Sequence, residues 1–264
     1  MAAFTAKDVQ TLRRATGAGM LDCKRALEEN DGDMEKAKQW LREKGLAGAA
    51  KRADREATQG AVSLSEVGRD AAIVELRCET DFVAKSDAFV SMAKELADSV
   101  AAKGEVAAKD AAGTIDELKT TLQENISLGQ VVRYELSEGT TLGTYVHMQS
   151  GRGVNAVMVE MRGATDELAH DVAVHVAFAR PLYLRREEVP EEEVAAERTT
   201  VEAISRNEGK PDAALPKIVE GRMNGWFKDR CLLEQSYAKD EKRTIADLIG
   251  SAEILRFAQV VVGG

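Results

Sequence analysis

The sequence predicts an α+β protein: an N-terminal three-helix module, a core of two related antiparallel-sheet-and-helix subdomains, and an inserted antiparallel helical hairpin. Three observations carry this reading. Residues 1–45 place apolar side chains at helical spacing in three short runs separated by glycine turns. Two segments 85 positions apart share residues and order, each a strand, then Thr-Asp, then a helix. Residues 190–227 form two charged runs with narrow apolar seams, reversed at Gly209 and Pro211.

In the first run, Thr5 is placed to cap a helix carrying Val9, Leu12 and Ala15, with Asp8 at the capping-box position. Gly17 ends it, and TGAGM leads into a second helix with Cys23, Ala26 and Leu27 on one face. Asp33 caps a third, bearing Met34, Ala37, Trp40 and Leu41 and ending at Gly45. The charged, alanine-rich stretch 46–60 reads as a linker.

The pattern then changes. AVSLSEV and AAIVELR, separated by GRD, read as a hairpin. A helix follows with Phe89, Ala93, Leu96 and Val100, then another over Ile115–Asn125. QVVRYEL, TLGTYVHMQ and NAVMVEM supply further strands, and TDELAHDVAVHVAFAR a helix stopped before Pro181. Leu215, Ile218, Val219, Met223 and Trp226 line the second arm of the hairpin. ILRFAQVVV is a closing strand placed to return to the second sheet. The resulting partition is 1–55, 56–139, 140–187 with 229–264, and the hairpin 188–228.

The repeat aligns IVELRCETDFVAKSDA, from Ile73, with MVEMRGATDELAHDVA, from Met158. Val74, Glu75, Arg77, Thr80, Asp81, Ala84 and Ala88 recur as Val159, Glu160, Arg162, Thr165, Asp166, Ala169 and Ala173. Thr-Asp suits a strand-to-helix cap in both copies. Phe82 breaks the match, because the second copy has Glu167 there, the residue that suits the first turn of a helix. In a chain that is 5% aromatic, a phenylalanine in this turn either packs on its own domain or meets a partner.

Composition narrows the function. A net charge of -9 disfavours direct binding to nucleic-acid backbone. No apolar run approaches bilayer length, and the start, MAAFTAKDVQ, is unlike a signal peptide. Cys23, Cys78 and Cys231 are dispersed and odd in number, as expected in a reducing cytoplasm. There is no phosphate-loop or dinucleotide fingerprint, no CxxC, and no zinc-ligand spacing among His147, His170 and His175. No catalytic or metal-ligating set is expected, and no cofactor. An enzyme would have to use Cys78 or dispersed carboxylates, whereas a non-exchanging adaptor would use the three-helix module for recognition and the hairpin for docking.

TGAGMLDCKRAL, CETDFVA, HVAFARPLYL and KIVEGRMNGWF, in that order, resemble the bacterial elongation factor Ts family over nearly the whole chain. The resemblance implies a guanine-nucleotide exchange factor for the GTPase elongation factor Tu, with a ubiquitin-associated-like N-terminal module. It implies that Thr80, Asp81, Phe82 and Val83 disturb the partner's Mg²⁺ site. It also gives contact roles to Leu12, Gly17, Gly19 and Met20 in the module and to His147 in the second subdomain.

Overall fold

A computed structural model describes residues 4–16, 18–52 and 54–264. The chain divides into two compact units. The first holds residues 1–135, 148–154 and 260–264, and the second 136–147 and 155–259.

The first unit opens with α1 (Ala6–Thr16), α2 (Met20–Glu29) and α3 (Met34–Arg52). Thr5 and Asp8 exchange the two bonds of a capping box, Thr5 N to Asp8 Oδ2 at 2.7 Å and Asp8 N to Thr5 Oγ1 at 3.4 Å. Asp33 Oδ1 accepts from the amides of Glu35 and Lys36, both at 3.0 Å, and so caps α3. Val9, Leu12, Cys23, Ala26, Leu27, Ala37 and Leu41 form one small core, with Phe4, Met34 and Trp40 packed against it.

α3 differs from the sequence reading in one respect: it continues past Gly45 to Arg52. The alanine-rich continuation has strong helix propensity, which outweighs Gly45 and Gly48. Gly45 serves packing instead, since a Cβ there would lie 2.1 Å from Thr120 Cγ2.

β1 (Gln59–Val67) and β2 (Asp70–Cys78) form the expected hairpin, paired from Gln59↔Cys78 to Val67↔Asp70. Gly68 supplies the positive φ that its two-residue turn needs. α4 (Asp81–Ala84), α5 (Asp87–Lys103), α6 (Val106–Asp110) and α7 (Ala112–Leu122) follow. β3 (Ser127–Glu135) then pairs antiparallel with β2, giving the order β1-β2-β3. β2 is central and buried nearly throughout, so it reads as a continuous apolar run rather than an alternating one. α5 covers the sheet with Phe89, Ala93, Leu96, Ala97 and Val100.

The second unit holds most of β4 (Thr140–Gln149), β5 (Arg152–Arg162) and β8 (Glu253–Val261), which form a sheet in the order β4-β5-β8. The closing strand therefore completes the second sheet. α8 (Asp166–Ala179) packs Ala169, Val172, Ala173 and Val176 into a core with Val157, Val159 and Met161. Arg180, in the left-handed conformation, ends α8 just before Pro181.

α9 (Glu191–Asn207) and α10 (Leu215–Arg230) form the antiparallel hairpin, joined by Val201, Val219, Met223 and Phe227. β6 (Ser236–Tyr237) and β7 (Asp240–Thr244) make a small ladder the sequence did not announce, and α11 (Ile245–Ile249) begins at a Thr244–Asp247 capping box.

Candidate functional site: the Thr80–Val83 turn

β2 ends at Cys78, and the chain must turn into α5 within a few residues. Thr80 makes that possible. Its extended backbone and side-chain oxygen cap α4, accepting from Val83 N at 3.3 Å. Ser86 then begins α5. Ala84 is buried and Val83 packs against the sheet core, so the inner side of the turn is fixed by burial.

The outer side is polar except at one position. Asp81 forms an ion pair with Lys85, and that hydrogen bond holds the Asp81 carboxyl below its ordinary range. Phe82 is 82% exposed. An aromatic ring left in water at a structured, capped turn forgoes about 1.5–3 kcal/mol of burial. The ring is thus presented to solvent and not packed into the core beneath the turn.

Cys78 sits beneath the turn, with Sγ donating to Thr80 O at 3.2 Å. Burial pushes its thiol up to about 12. Burial also pushes Cys231 up to about 11, and all three cysteines are free and buried. Among the described residues no group of three or more His, Cys, Asp or Glu side chains is placed to hold a metal ion. No helix among them is long and apolar enough to cross a membrane.

The remaining sequence candidates lie elsewhere. Leu12 is fully buried in the module core. Gly17 lies outside the described residues. Gly19 is the N-cap of α2 in extended conformation, and its carbonyl accepts from Cys23 N at 2.9 Å. Met20 is 44% exposed on the first helical turn, and beside it Leu21 is 83% exposed. Leu21 was missed by sequence reasoning, although two adjacent apolar residues at a helix start, with the apolar stripe beginning only at Cys23, were a usable signal.

His147 belongs to the second unit, exposed on β4. Tyr145 stacks near it, ring centroids 6.4 Å apart, and the Tyr145 hydroxyl lies 3.3 Å from His147 Nδ1. His170 Nδ1 donates to Thr144 O at 2.8 Å and places its ring edge-on to the same tyrosine. The structure thus brings Thr80–Val83 together in one turn and Gly19 and Met20 at one helix start, with His147 in a Tyr-His cluster of its own.

With this geometry in view, comparison with known proteins identifies the lineage. The family described as Elongation factor TS matches residues 79–264. The chain belongs to the elongation factor Ts family. Its first 48 residues match the N-terminal domain described as Elongation factor Ts, mitochondrial, N-terminal. An elongation factor Ts from Kineococcus radiotolerans is 45% identical over 269 residues, covering 96% of each chain. The protein of that name from Clavibacter sepedonicus is 46% identical over 277 residues, covering all of both chains. That from Mycobacterium bovis is 43% identical over 277 residues, covering 100% of this chain and 99% of its own. Membership of the elongation factor Ts family makes this chain a translation elongation factor.

Proposed function

We propose that this member of the elongation factor Ts family binds GDP-bound elongation factor Tu and speeds replacement of GDP by GTP, without chemistry of its own. The observation that carries the reading is Phe82: a ring 82% exposed on a capped turn, where the second copy of the motif has a glutamate. In this reading the ring docks among the helices of the GTPase and shifts the elements that hold Mg²⁺ and the diphosphate. Mg²⁺ is the largest local charge in such a site, so displacing it weakens phosphate binding. A thousandfold loss of GDP affinity needs about 4 kcal/mol. A buried aromatic anchor together with a docked module is of that scale.

Thr80, Asp81 and Val83 act as the frame of the wedge. Gly19 and Met20, with Leu21, are the contact edge of the module of residues 1–55, and Leu12 holds that module together. His147 is a contact of the subdomain built from 140–187 and 229–264, and the hairpin 188–228 braces the assembly. Linkage requires that nucleotide weaken the factor's binding by the same factor, so rebinding of GTP expels it. The net charge of -9 suits a protein partner rather than nucleic acid, and the site of action is the cytoplasm.

The test is release of a fluorescent GDP from elongation factor Tu, with wild type and with Phe82→Ala. Acceleration by wild type, with at least about a tenfold smaller maximal effect for Phe82→Ala and little change in affinity, is expected. Binding without acceleration by the wild type would leave an adaptor in place of an exchange factor.

A further inference from the structure

A ring that is 82% exposed has almost no packing to hold it. Its direction is set by the backbone beneath it, so whatever fixes that backbone sets how well Phe82 is aimed before it meets anything. The Cys78–Val83 segment has a specific difficulty here. β2 makes its last pairings at Gln59↔Cys78 and Ser127↔Arg77, and α4 begins at Asp81. The amides of Glu79 and Thr80 fall between sheet and helix, where neither ladder supplies an acceptor.

Glu124 supplies it. α7 ends at Leu122, and Gln123 takes the left-handed conformation with φ 58°, which turns the chain back toward the end of β2. Glu124 Oε2 then accepts from both Glu79 N and Thr80 N, each at 3.0 Å, while Oε1 accepts from Thr80 Oγ1. The bond to the hydroxyl matters most. A threonine hydroxyl has one hydrogen, and giving it to Glu124 leaves the lone pairs for Val83 N, the cap of α4.

Glu79 returns the arrangement. Its Oε1 accepts from Asn125 N at 2.6 Å and its Oε2 from Arg55 Nη1 at 3.3 Å. Asn125 Nδ2 donates in turn to Arg55 O at 2.7 Å. Two carboxylates, 45 positions apart in the chain, thus cross-link the turn to the α7–β3 junction, each accepting the other segment's amides.

The second copy of the motif is an internal control. Its Thr165 caps α8 through Leu168 N at 3.2 Å, yet among the described residues no carboxylate holds the Thr165 hydroxyl. That copy carries Glu167 where the first carries Phe82. The carboxylate clamp accompanies the phenylalanine, while the cap is common to both.

We propose that Glu124 is the positioning residue of the Phe82 wedge: it pre-orders the Glu79–Thr80 hinge so that the ring is presented in its docking direction. The inference rests on the exchange reading above and deepens it. Its physical content is pre-organisation. A turn already ordered loses less conformational entropy on docking, and the difference appears in the step where the ring is driven home.

The experiment is GDP release from elongation factor Tu as a function of factor concentration, for wild type, Glu124→Ala, Glu124→Gln, Phe82→Ala and the double variant Glu124→Ala/Phe82→Ala. For Glu124→Ala the maximal rate falls about five- to tenfold and the half-saturating concentration stays within about twofold, since the other contact faces are untouched. Glu124→Gln, which keeps one acceptor oxygen, recovers part of the loss. The double variant matches Phe82→Ala, because the clamp acts only through the ring.

A merely structural role would instead lower thermal stability and add to the Phe82→Ala effect. Additive losses, or a Glu124→Ala rate equal to wild type where Phe82→Ala is slow, overturn the inference and leave the exchange reading standing. A wild type that does not accelerate GDP release overturns both. Should Glu124→Ala fail to fold, Glu124→Gln with and without Phe82→Ala applies the same additivity criterion.

Discussion

Glu75 and Glu160, 85 positions apart, are the same buried carboxylate used twice. Each sits inside the central strand of its sheet with essentially no exposure, and each accepts three hydrogen bonds. Glu75 takes them from Arg77 at 2.9 Å and from the amides of Gln130 and Gly263, both at 3.0 Å. Glu160 takes them from Ser137 N at 2.7 Å, Thr140 Oγ1 at 2.9 Å and Arg256 Nε at 2.7 Å. The arginine has changed while the acid has not: Arg162, the repeat partner of Arg77, pairs with Glu253 instead. Gly129 is part of the Glu75 site, because a Cβ there would lie 2.2 Å from Glu75 Oε2.

For both acids desolvation works to raise the pKa, and the bonds just named outweigh it, so both are held below the ordinary value of 4.5. The stability they contribute is therefore present above pH 4.5 and lost as pH falls through the lowered folded values. Glu160→Ala, which strands Ser137 N and leaves Thr140 Oγ1 only Ser137 O as acceptor, is expected to cost about 2–4 kcal/mol at pH 7. Arg162→Ala, at an exposed pair, is expected to cost under about 0.5 kcal/mol. Urea unfolding at pH 7 and again at pH 3.5 checks both numbers, and the Glu160→Ala penalty should shrink in acid.

Phe82 and Phe89 lie seven positions apart and have opposite roles. Phe89 is fully buried under the first sheet, and Phe82 is exposed. Phe89→Ala is expected to cost about 3–5 kcal/mol of stability. Phe82→Ala should change it by less than about 0.5 kcal/mol. Thermal and urea unfolding of the two variants would decide this. A large destabilisation by Phe82→Ala would mean that the ring packs on its own domain.

Much of this was legible because the deciding interactions are local. Thr5, Asp33, Thr80, Thr165 and Thr244 all cap helices within three residues of themselves, and a cap is readable at that range. The repeat was readable because strand, cap and helix fall in one short segment. The mismatch of Phe82 with Glu167 was readable, but whether the ring was buried or exposed was not, because that depends on contacts. What escaped was non-local or depended on contacts. Glu124 reaches Thr80 across 44 positions, and nothing in a run ending LQEN announces an acceptor for another segment's amides. Gly45 has the look of a helix end in sequence, and only the approach of Thr120 reveals its use. Leu12 and Met20 carry similar apolar signals, yet the first is core and the second surface. The difference is which way the helix is rotated against its neighbours. β6 and β7 are too short and polar for periodicity to register.

His175 ties α8 to the chain that follows the helical hairpin, and it does so only when neutral. Ala238 N donates to its Nδ1 at 3.2 Å, so the ring proton is on Nε2, which donates to Gln235 Oε1 at 3.0 Å. Gln235 Nε2 then donates to Asp229 O at 3.0 Å, extending the chain of bonds toward the end of α10. A second ring proton would meet the Ala238 N–H head on. Burial pushes the His175 pKa below its ordinary 6.5, with the Gln235 bond opposing. Tyr237 lies beside the ring at 6.2 Å, its hydroxyl donating to Asp171 at 2.9 Å, and Lys239 pairs with that same Asp171. The folded protein holds His175 neutral to a lower pH than the unfolded chain, which takes up the proton near 6.5. Stability should therefore fall as pH drops from 6.5 toward the folded value, and be unaffected by His175 above 6.5. His175→Asn is expected to be less stable than wild type at pH 7.5 but to lose less on going to pH 5.5. Urea unfolding of both proteins at the two pH values measures the difference. Equal losses between the two would show that His175 is not the group that titrates.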